Sequence, residues 1–128
     1  MASLAPATET DRKALTGPAL RTFFNIADAW KLREPEQMRI LGIDSRSTLQ
    51  NWKRGLVASI SRDTLERISY IFGIYKGLHI LLPSTADEWV HKPNSAPLFG
   101  GRTALDRLAS GNVADLYLVR QYIDAQRG

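Results

Sequence analysis

Apolar residues recur every three or four positions along most of this chain, and that spacing predicts a protein built from α-helices. The first apolar stripe is rich in aromatic residues and consists of Leu20, Phe23, Phe24, Ala27 and Trp30. We expect its helix to open at Thr16, Gly17 and Pro18 and to pack behind the elements that follow. Residues 1–15, rich in alanine and threonine, are expected to form a flexible N-terminal arm.

The widest apolar surface belongs to the helix predicted after Ser61, which is a good N-terminal cap. Its apolar positions form two adjacent stripes. The first stripe consists of Leu65, Ile68, Phe72 and Tyr75, and the second consists of Ile71, Ile74, Leu78 and Leu81. A helix that is apolar over roughly half of its circumference needs cover on more than one side. Either the C-terminal segment or a second copy of the protein supplies it, so homodimerisation is one hypothesis. Gly73 and Gly77 allow close backbone approach, but we interpret them as merely tolerated.

Residues 35–55, PEQMRILGIDSRSTLQNWKRG, have the pattern of a helix-turn-helix. Pro35 suits the first turn of a helix, where its missing N–H would have had no partner. Gly42 can adopt the left-handed conformation that ends this helix. Asp44 or Ser45 can then cap the second helix. Residues 31–34 are interpreted as the connection from the preceding helix.

The outward face of the second helix has the residue types of a DNA major-groove reader. Leu49 and Trp52 face inward, and Gly55 stops the helix. The residues left outside are Arg46, Ser47, Gln50, Asn51, Lys53 and Arg54. Arginine can bond a guanine edge through two donors, glutamine or asparagine can do the same for adenine, and lysine holds phosphates. An ordinary solvated helix face has similar residues, so the motif alone leaves both interpretations open.

The positive charge of the chain is concentrated around this motif. The sequence has 17 Lys and Arg against 13 Asp and Glu, a net charge of +4. Residues 31–82 hold nine basic and five acidic residues, whereas residues 1–30 and 83–128 are each balanced. Basic residues around a reading helix are typical of a nucleic-acid binder, although they also keep small proteins soluble.

Composition narrows the function classes further. At 128 residues and 44% hydrophobic content, the chain is expected to form one domain, or one domain with a short appendage. The absence of cysteine excludes a disulfide framework, a zinc finger and a thiol nucleophile, and fits a cytoplasmic protein. We expect no secretory signal and no membrane span. His79 and His91 lack partners at metal-ligand spacing, and no phosphate loop or hydrolase motif is present, so we predict a protein that is not an enzyme.

After Pro83 the chain changes to short predicted helices separated by proline and glycine. Their expected capping pairs are Ser84 with Asp87, Thr103 with Asp106, and Asn112 with Asp115. Between the first two helices lies HKPNSAPLFGG, residues 91–101, whose composition disfavours regular structure. On the last helix one face consists of Leu116, Val119, Tyr122 and Ile123. A charge-balanced segment of this kind favours protein binding, or cover for the long helix, over DNA binding.

The order of these features resembles the Xre/MbcA/ParS antitoxin family. The resemblance rests on the helix-turn-helix ending TLQNWKRG, on the long apolar helix, and on the tail residues Trp89, Pro93, Asn94, Pro97, Gly100, Gly101, Arg102, Leu105, Leu108 and Gly111. It covers nearly everything from residue 18 onward. Ala104 departs from the pattern, which would have proline there.

The resemblance implies an all-α fold, in which an Xre-like helix-turn-helix bundle is followed by a small helical toxin-binding segment. Residues 16–82 would bind operator DNA and dimerise, and residues 83–128 would bind a toxin. The toxin is usually a RES-domain protein that consumes NAD, by degrading it or by transferring ADP-ribose. The antitoxin would cover the NAD site and would bind no cofactor itself, and the hetero-oligomeric complex would repress its own operon.

Candidate toxin contacts lie in the glycine-containing loop and on the last helix. They are Asn94, Leu98, Phe99, Gly100, Gly101, Arg102, Val119, Tyr122 and Ile123. The glycines let a partner's backbone approach closely, and Arg102 can pair with an acidic group or a carbonyl. Each of these residues can instead make contacts within the chain, and for Leu105, Leu108 and Trp89 we favour the core. The alternative function is a plain helix-turn-helix regulator without a toxin partner, whose tail serves folding or dimerisation.

Overall fold

The structure, a computed structural model, describes residues 8–128, and these form seven helices without a strand. The helices are α1 (Glu9–Ala29), α2 (Glu34–Leu41), α3 (Arg46–Lys53), α4 (Arg62–Leu81), α5 (Ala86–Trp89), α6 (Ala104–Leu108) and α7 (Val113–Gln126). The predicted all-α class is confirmed. Of the helices described, none is long and apolar enough to cross a bilayer.

Helix α4 is the central element, and it packs against α1, α2, α5 and α7. Ile68, Ile71, Ile74 and Leu78 lie on its covered faces and are almost completely buried. The C-terminal segment therefore supplies much of the cover that the apolar width of this helix requires. Phe72 and Ile80 are the exceptions on α4, with 49% and 52% of their surfaces exposed.

Helix α1 begins earlier than the sequence analysis predicted. Thr8 Oγ1 accepts a hydrogen bond from the Asp11 N–H, and Asp11 Oδ2 accepts one from the Thr8 N–H, both at 3.1 Å. This capping box satisfies two free donors at the helix start, so residues 9–15 are helical and not part of an arm. Residues 1–7 of the predicted arm lie outside the described residues.

Thr16 has a structural role inside α1, where it is only 2% exposed. Its hydroxyl donates to the Arg12 carbonyl at 2.5 Å and accepts from the Ile60 N–H at 3.1 Å. The residue that was predicted to open the helix therefore fixes the segment that leads into α4. Pro18 lies within the helix and does not end it.

The predicted caps are partly confirmed. The hydroxyl oxygens of Ser45, Ser61 and Thr103 each accept the backbone N–H three residues ahead, at the starts of α3, α4 and α6. The capping box at Ser84 is wrong, because α5 begins after Thr85 without a side-chain cap. Asn112 precedes α7 but makes no side-chain cap.

Gly77 is required by close helix packing, which corrects its interpretation as a tolerated residue. Gly73 and Gly77 are both buried under α7. A Cβ at Gly77 would lie 2.5 Å from Ile123 Cγ2, and a Cβ at Gly73 would overlap the Arg120 guanidinium. Gly77 therefore lets α7 approach α4 more closely than a side chain would allow, whereas the end of Arg120 can move to make room for a Cβ at Gly73.

Arg67 joins the helix-turn-helix to the C-terminal segment. Its guanidinium is mostly buried and pairs with Asp63 Oδ2 at 2.8 Å within α4. The same group donates to the Arg39 carbonyl at the end of α2 and to the Gly111 carbonyl before α7, each at 3.1 Å. One buried cation thus satisfies two carbonyls from separate parts of the chain.

Replacing Gly77 with alanine is expected to destabilise the fold, because the added Cβ would meet a buried β-branched side chain. Overpacking of this kind costs about 1–3 kcal/mol, which exceeds the gain of at most about 1 kcal/mol that alanine has over glycine in a helix. The matched control is Gly73→Ala, whose Cβ meets only the flexible end of Arg120. Urea denaturation should give Gly77→Ala the lower free energy of unfolding. The opposite order would contradict the packing of α7 on α4.

Candidate functional site

The turn between α2 and α3 has the geometry of a helix-turn-helix. Gly42 ends α2 with φ 76° and ψ 31°, and its N–H donates to the Met38 carbonyl at 2.9 Å. A glycine is favoured here because side chains seldom adopt this left-handed conformation. Ser45 then caps α3, and the fully buried Leu49 holds that helix against the core.

The six predicted DNA-reading residues form two rows on α3. Because each residue turns the helix by about 100°, spacings of four and three place Arg46, Gln50 and Lys53 along one side. Ser47, Asn51 and Arg54 follow the adjacent side with the same spacing. Five of the six are exposed and Gln50 is half-buried, so the structure places them on one continuous outer surface.

The first row contacts a single carboxylate, that of Glu34 at the start of α2. Arg46 Nε lies 2.9 Å from Glu34 Oε1, and Lys53 Nζ lies 3.6 Å from Oε2. Gln50 Nε2 donates to the same Oε2. The hydrogen bond from Arg46 lowers the pKa of Glu34, so this carboxylate is ionised at neutral pH.

Sequence reasoning missed Glu34, because residues 31–34 were interpreted only as a connection. An acidic residue at a helix start is ordinarily explained by the helix dipole. Its contact with α3 depends on the angle between α2 and α3, which spacing along the chain does not contain.

The second row has different partners. Arg54 Nη2 donates to Asn51 Oδ1 at 3.0 Å, and the hydroxyls of Ser47 and Ser45 share a hydrogen bond at 2.9 Å. Among the described residues, none of the row pairs with a carboxylate. These side chains can therefore exchange local partners for base edges or phosphates at little electrostatic cost.

A groove beside the end of α3 adds a residue that sequence reasoning did not single out. It has a volume of about 480 Å³ and runs between α1 and α3. Phe24 and Trp52 contribute aromatic surface, and Arg21, Lys53 and Arg54 contribute cations. Arg21 extends the basic surface of α3 onto α1.

The glycine-containing loop between α5 and α6 is closed by Asn94. Its N–H donates to the Arg102 carbonyl at 2.9 Å, and its carbonyl accepts from the Gly101 N–H at 2.8 Å. Its side-chain oxygen accepts from the Ala96 N–H at 2.9 Å. An isolated antiparallel bridge between Pro93 and Thr103 ends the loop. Asn94, predicted as a partner contact, thus has an intramolecular role in shaping the loop.

The outer tip of this loop is open. Gly100 and Gly101 have φ values of 59° and 86°, which favour glycine, and no atom lies within 4 Å of a Cβ built at either. The Arg102 side chain is 77% exposed and lies 3.5 Å from Asp106 Oδ2. A single long ion pair between two exposed side chains contributes little, so the guanidinium is available to another partner. Leu98 is half-buried beside it.

Three of the predicted apolar anchors are core residues, which corrects the sequence analysis. Val119 and Ile123 are 0% and 1% exposed, since their face of α7 is the face that covers α4, and Phe99 is 5% exposed. None of these side chains can contact a partner while the fold is intact. Tyr122 is half-buried and packs its ring against Trp89 and Phe99, with centroid distances of 6.4 and 5.3 Å.

This aromatic cluster supports the loop from below. Trp89 and Phe99 also meet edge to face, with centroids 5.6 Å apart. The predicted core positions Leu105 and Leu108 are 9% and 1% exposed, which confirms them as core, and Trp89 is partly buried in the cluster. Exposed apolar surface on α7 comes instead from Tyr117 and Leu118. Both lie outside the stripe that the periodicity analysis followed, so it missed them.

The histidines have structural partners. His79 Nδ1 lies 2.9 Å from the Tyr75 carbonyl, and its Nε2 lies 3.4 Å from Asp87 Oδ1. His91 Nε2 contacts the Trp30 carbonyl across the connection after α1. Within residues 8–128 there is no group of three or more His, Cys, Asp or Glu side chains that could hold a metal.

The fold and the two surfaces define a helix-turn-helix protein with a helical tail that presents a glycine-containing loop. Comparison with known families is more specific. Residues 9–73 match the antitoxin Xre-like helix-turn-helix domain, and residues 78–128 match the antitoxin Xre/MbcA/ParS C-terminal toxin-binding domain. The chain therefore belongs to the Xre/MbcA/ParS antitoxins, which makes it the antitoxin of a toxin–antitoxin system with a DNA-binding and a toxin-binding domain.

A curated relative matches the chain over most of the length of both proteins. The chain is 45% identical over 111 residues to the uncharacterized protein y4oB of Sinorhizobium fredii (strain NBRC 101917 / NGR234). The match covers 85% of this chain and 84% of that protein. No solved structure matches the chain.

Proposed function

We propose that this antitoxin neutralises a RES-domain toxin that consumes NAD, and that the toxin–antitoxin complex represses its own operon. The toxin degrades NAD or transfers ADP-ribose from it, and the loop of residues 94–102 covers the NAD site. NAD is bound by the toxin alone, and the antitoxin itself needs no cofactor and performs no reaction. Both proteins act in the cytoplasm.

The observation that supports neutralisation by this loop is its combination of rigidity and openness. Asn94 and the aromatic cluster hold the backbone from inside, whereas Gly100 and Gly101 leave the outer backbone bare and the Arg102 side chain is exposed beside them. A loop that is already ordered loses little conformational entropy when it binds. A strip of bare backbone beside one guanidinium can enter a narrow cleft and pair with an acidic group or a carbonyl there.

Operator binding is supported by the two polar rows of α3 and by the basic groove next to them. A palindromic operator is read best by a symmetric pair of such helices, whose separation equals about one turn of DNA, 34 Å. We therefore include a homodimer in the proposal. An apolar groove between α1 and α4, bordered by Leu15, Pro18, Leu65 and Phe72, supports it, because Leu15 and Phe72 are 46% and 49% exposed.

The alternative is a plain transcriptional regulator whose tail only completes the fold. The cover that α7 gives to α4 favours this role of the tail, but both roles are compatible. Truncation after Leu82 does not discriminate them, since it would uncover the buried face of α4 and unfold the remaining fragment. Point changes on the outer surfaces do discriminate them.

Arg102→Glu is expected to abolish growth rescue when the antitoxin is co-expressed with the toxin gene of its own locus. The substitution reverses the charge at the open loop without disturbing a buried group, so the melting temperature should stay within about 2 °C of the parent. The control is Lys13→Glu, an equal charge reversal on the exposed surface of α1, which should rescue growth as the parent does. Full rescue by Arg102→Glu would remove the loop from the proposed interface. A parent that fails to neutralise a neighbouring RES toxin would refute the proposed function itself.

Arg46→Ala and Gln50→Ala should each weaken operator binding by about 1–3 kcal/mol if the side chain makes a bidentate base contact. Fluorescence anisotropy with a labelled operator duplex measures the loss. Toxin binding, measured by calorimetry, should be unchanged. Operator affinities equal to that of the parent would show that α3 is not the reading helix.

Phe72→Asp is expected to convert the homodimer into a monomer, because it places a charge in the lining of the apolar groove. Sedimentation velocity at tens of micromolar should show one species of about half the parent's mass. The control Tyr117→Asp changes an exposed aromatic residue on α7 and should leave the dimer intact. A parent that sediments only as a monomer would refute the homodimer.

A further inference from the structure

Half of the predicted reading surface is already occupied in the free protein. Arg46, Gln50 and Lys53 all direct their donors at the Glu34 carboxylate, whereas the row of Ser47, Asn51 and Arg54 contacts no carboxylate. A carboxylate is the anion in proteins that most resembles a phosphate as a hydrogen-bond acceptor. Glu34 therefore occupies the donors of the first row with a built-in substitute for the DNA backbone.

This arrangement changes what the first row gains from DNA. When Arg46 or Lys53 binds a phosphate, it exchanges one anionic partner for another and leaves Glu34 unpaired beside the polyanion. The net gain is small, because attraction to the phosphate is offset by repulsion between the phosphate and Glu34. A lysine or arginine without a carboxylate neighbour would gain the full phosphate contact and would release a counterion.

Base edges can compensate for the lost contacts with Glu34, whereas phosphates cannot. A guanine edge offers Arg46 two acceptors, and an adenine edge offers Gln50 an acceptor and a donor together. A cytosine amino group can donate to Glu34 itself. The matching base sequence can thus satisfy both the donors and the carboxylate, whereas phosphates satisfy only the donors.

We propose that Glu34 is a specificity-determining residue of the DNA-reading surface, which suppresses sequence-independent binding through Arg46 and Lys53 more strongly than it suppresses binding to the operator. The inference rests on the proposed operator binding by α3. It assigns to Glu34, at the start of α2, a function that the six outward residues of α3 do not supply. That function is discrimination against DNA whose bases do not match and that is contacted only through its phosphates.

The test is Glu34→Gln, which keeps the shape of the side chain and removes its charge. Affinities of the full-length chain, alone and with its toxin bound, are measured for an operator duplex and for a shuffled duplex of equal length and composition, between 50 and about 200 mM salt. The shuffled duplex should bind the Glu34→Gln variant about tenfold more tightly than it binds the parent. The affinity of the operator duplex should change by less than about threefold. The salt dependence on shuffled DNA should steepen by about one to two counterions, because Arg46 and Lys53 become free for phosphates.

The matched control is Asp44→Asn. Asp44 is an exposed acid in the turn just before α3, and it forms no ion pair with the first row among the described residues. Removing its charge should strengthen binding to both duplexes by the same factor and leave their ratio within about twofold of the parent. Thermal denaturation of both variants verifies that the fold is intact.

Each outcome separates the inference from the function on which it rests. Equal strengthening of both duplexes by Glu34→Gln, as for Asp44→Asn, would mean that Glu34 acts only as a general negative charge and would overturn the inference. Unchanged affinity for shuffled DNA would overturn it as well. In both cases operator binding by the parent would stand. A parent that binds the operator no better than the shuffled duplex, alone and with toxin, would overturn both operator recognition and the role of Glu34.

Discussion

The need to cover α4 on several sides determines the arrangement of the other helices. Its apolar residues extend around much of its circumference, and α1, α2, α5 and α7 each bury part of them. The strongest contacts come from opposite ends of the chain, since α1 precedes the helix-turn-helix and α7 ends the toxin-binding domain. The hydrophobic burial that stabilises the DNA-binding half therefore includes residues of the toxin-binding half. The two family domains are separate in sequence but share one core.

Function is left to the surfaces that this core does not use. On one of them, α3 buries Leu49 and carries polar side chains on its outer side. The ion pair with Glu34 orients some of those side chains before DNA is present. On the other, a loop of left-handed glycines lies over three aromatic rings. In both places buried residues fix the backbone. The groups left at the surface are either small, as the glycines are, or have hydrogen-bond partners that can be exchanged. Such pre-organisation lowers the entropic cost of binding.

Much of this fold could be predicted from the sequence, because periodicity and capping chemistry are local. The spacing of apolar residues located α2, α3 and α4, and Ser61 and Thr103 were identified as caps from their side chains alone, whereas the cap of α3 was left open between Asp44 and Ser45. The start of α1 was missed because residues 9–15 are mostly polar and the stripe begins only later. The outward position of the six α3 residues was predictable from helical geometry, but their pairing with Glu34 was not, because it depends on how α2 and α3 cross. For the same reason, Val119 and Ile123 were identified as one face of a helix, but the spacing did not decide between cover for α4 and contact with a partner.

The Arg67 guanidinium, which bonds carbonyls at the end of α2 and before α7, has a consequence for how an assembly of this protein is built. Only residues 82–85 separate α4 from α5, and the buried Arg67 guanidinium bonds to both halves. A partner bound to the loop of residues 94–102 is therefore held at a fixed angle to α3. In the proposed homodimer, the distance between two operator half-sites would then be dictated by the symmetry of the dimer and not adjusted by a linker. For such a dimer, a new operator spacing would require a new subunit interface, because no tether between the halves could be lengthened instead.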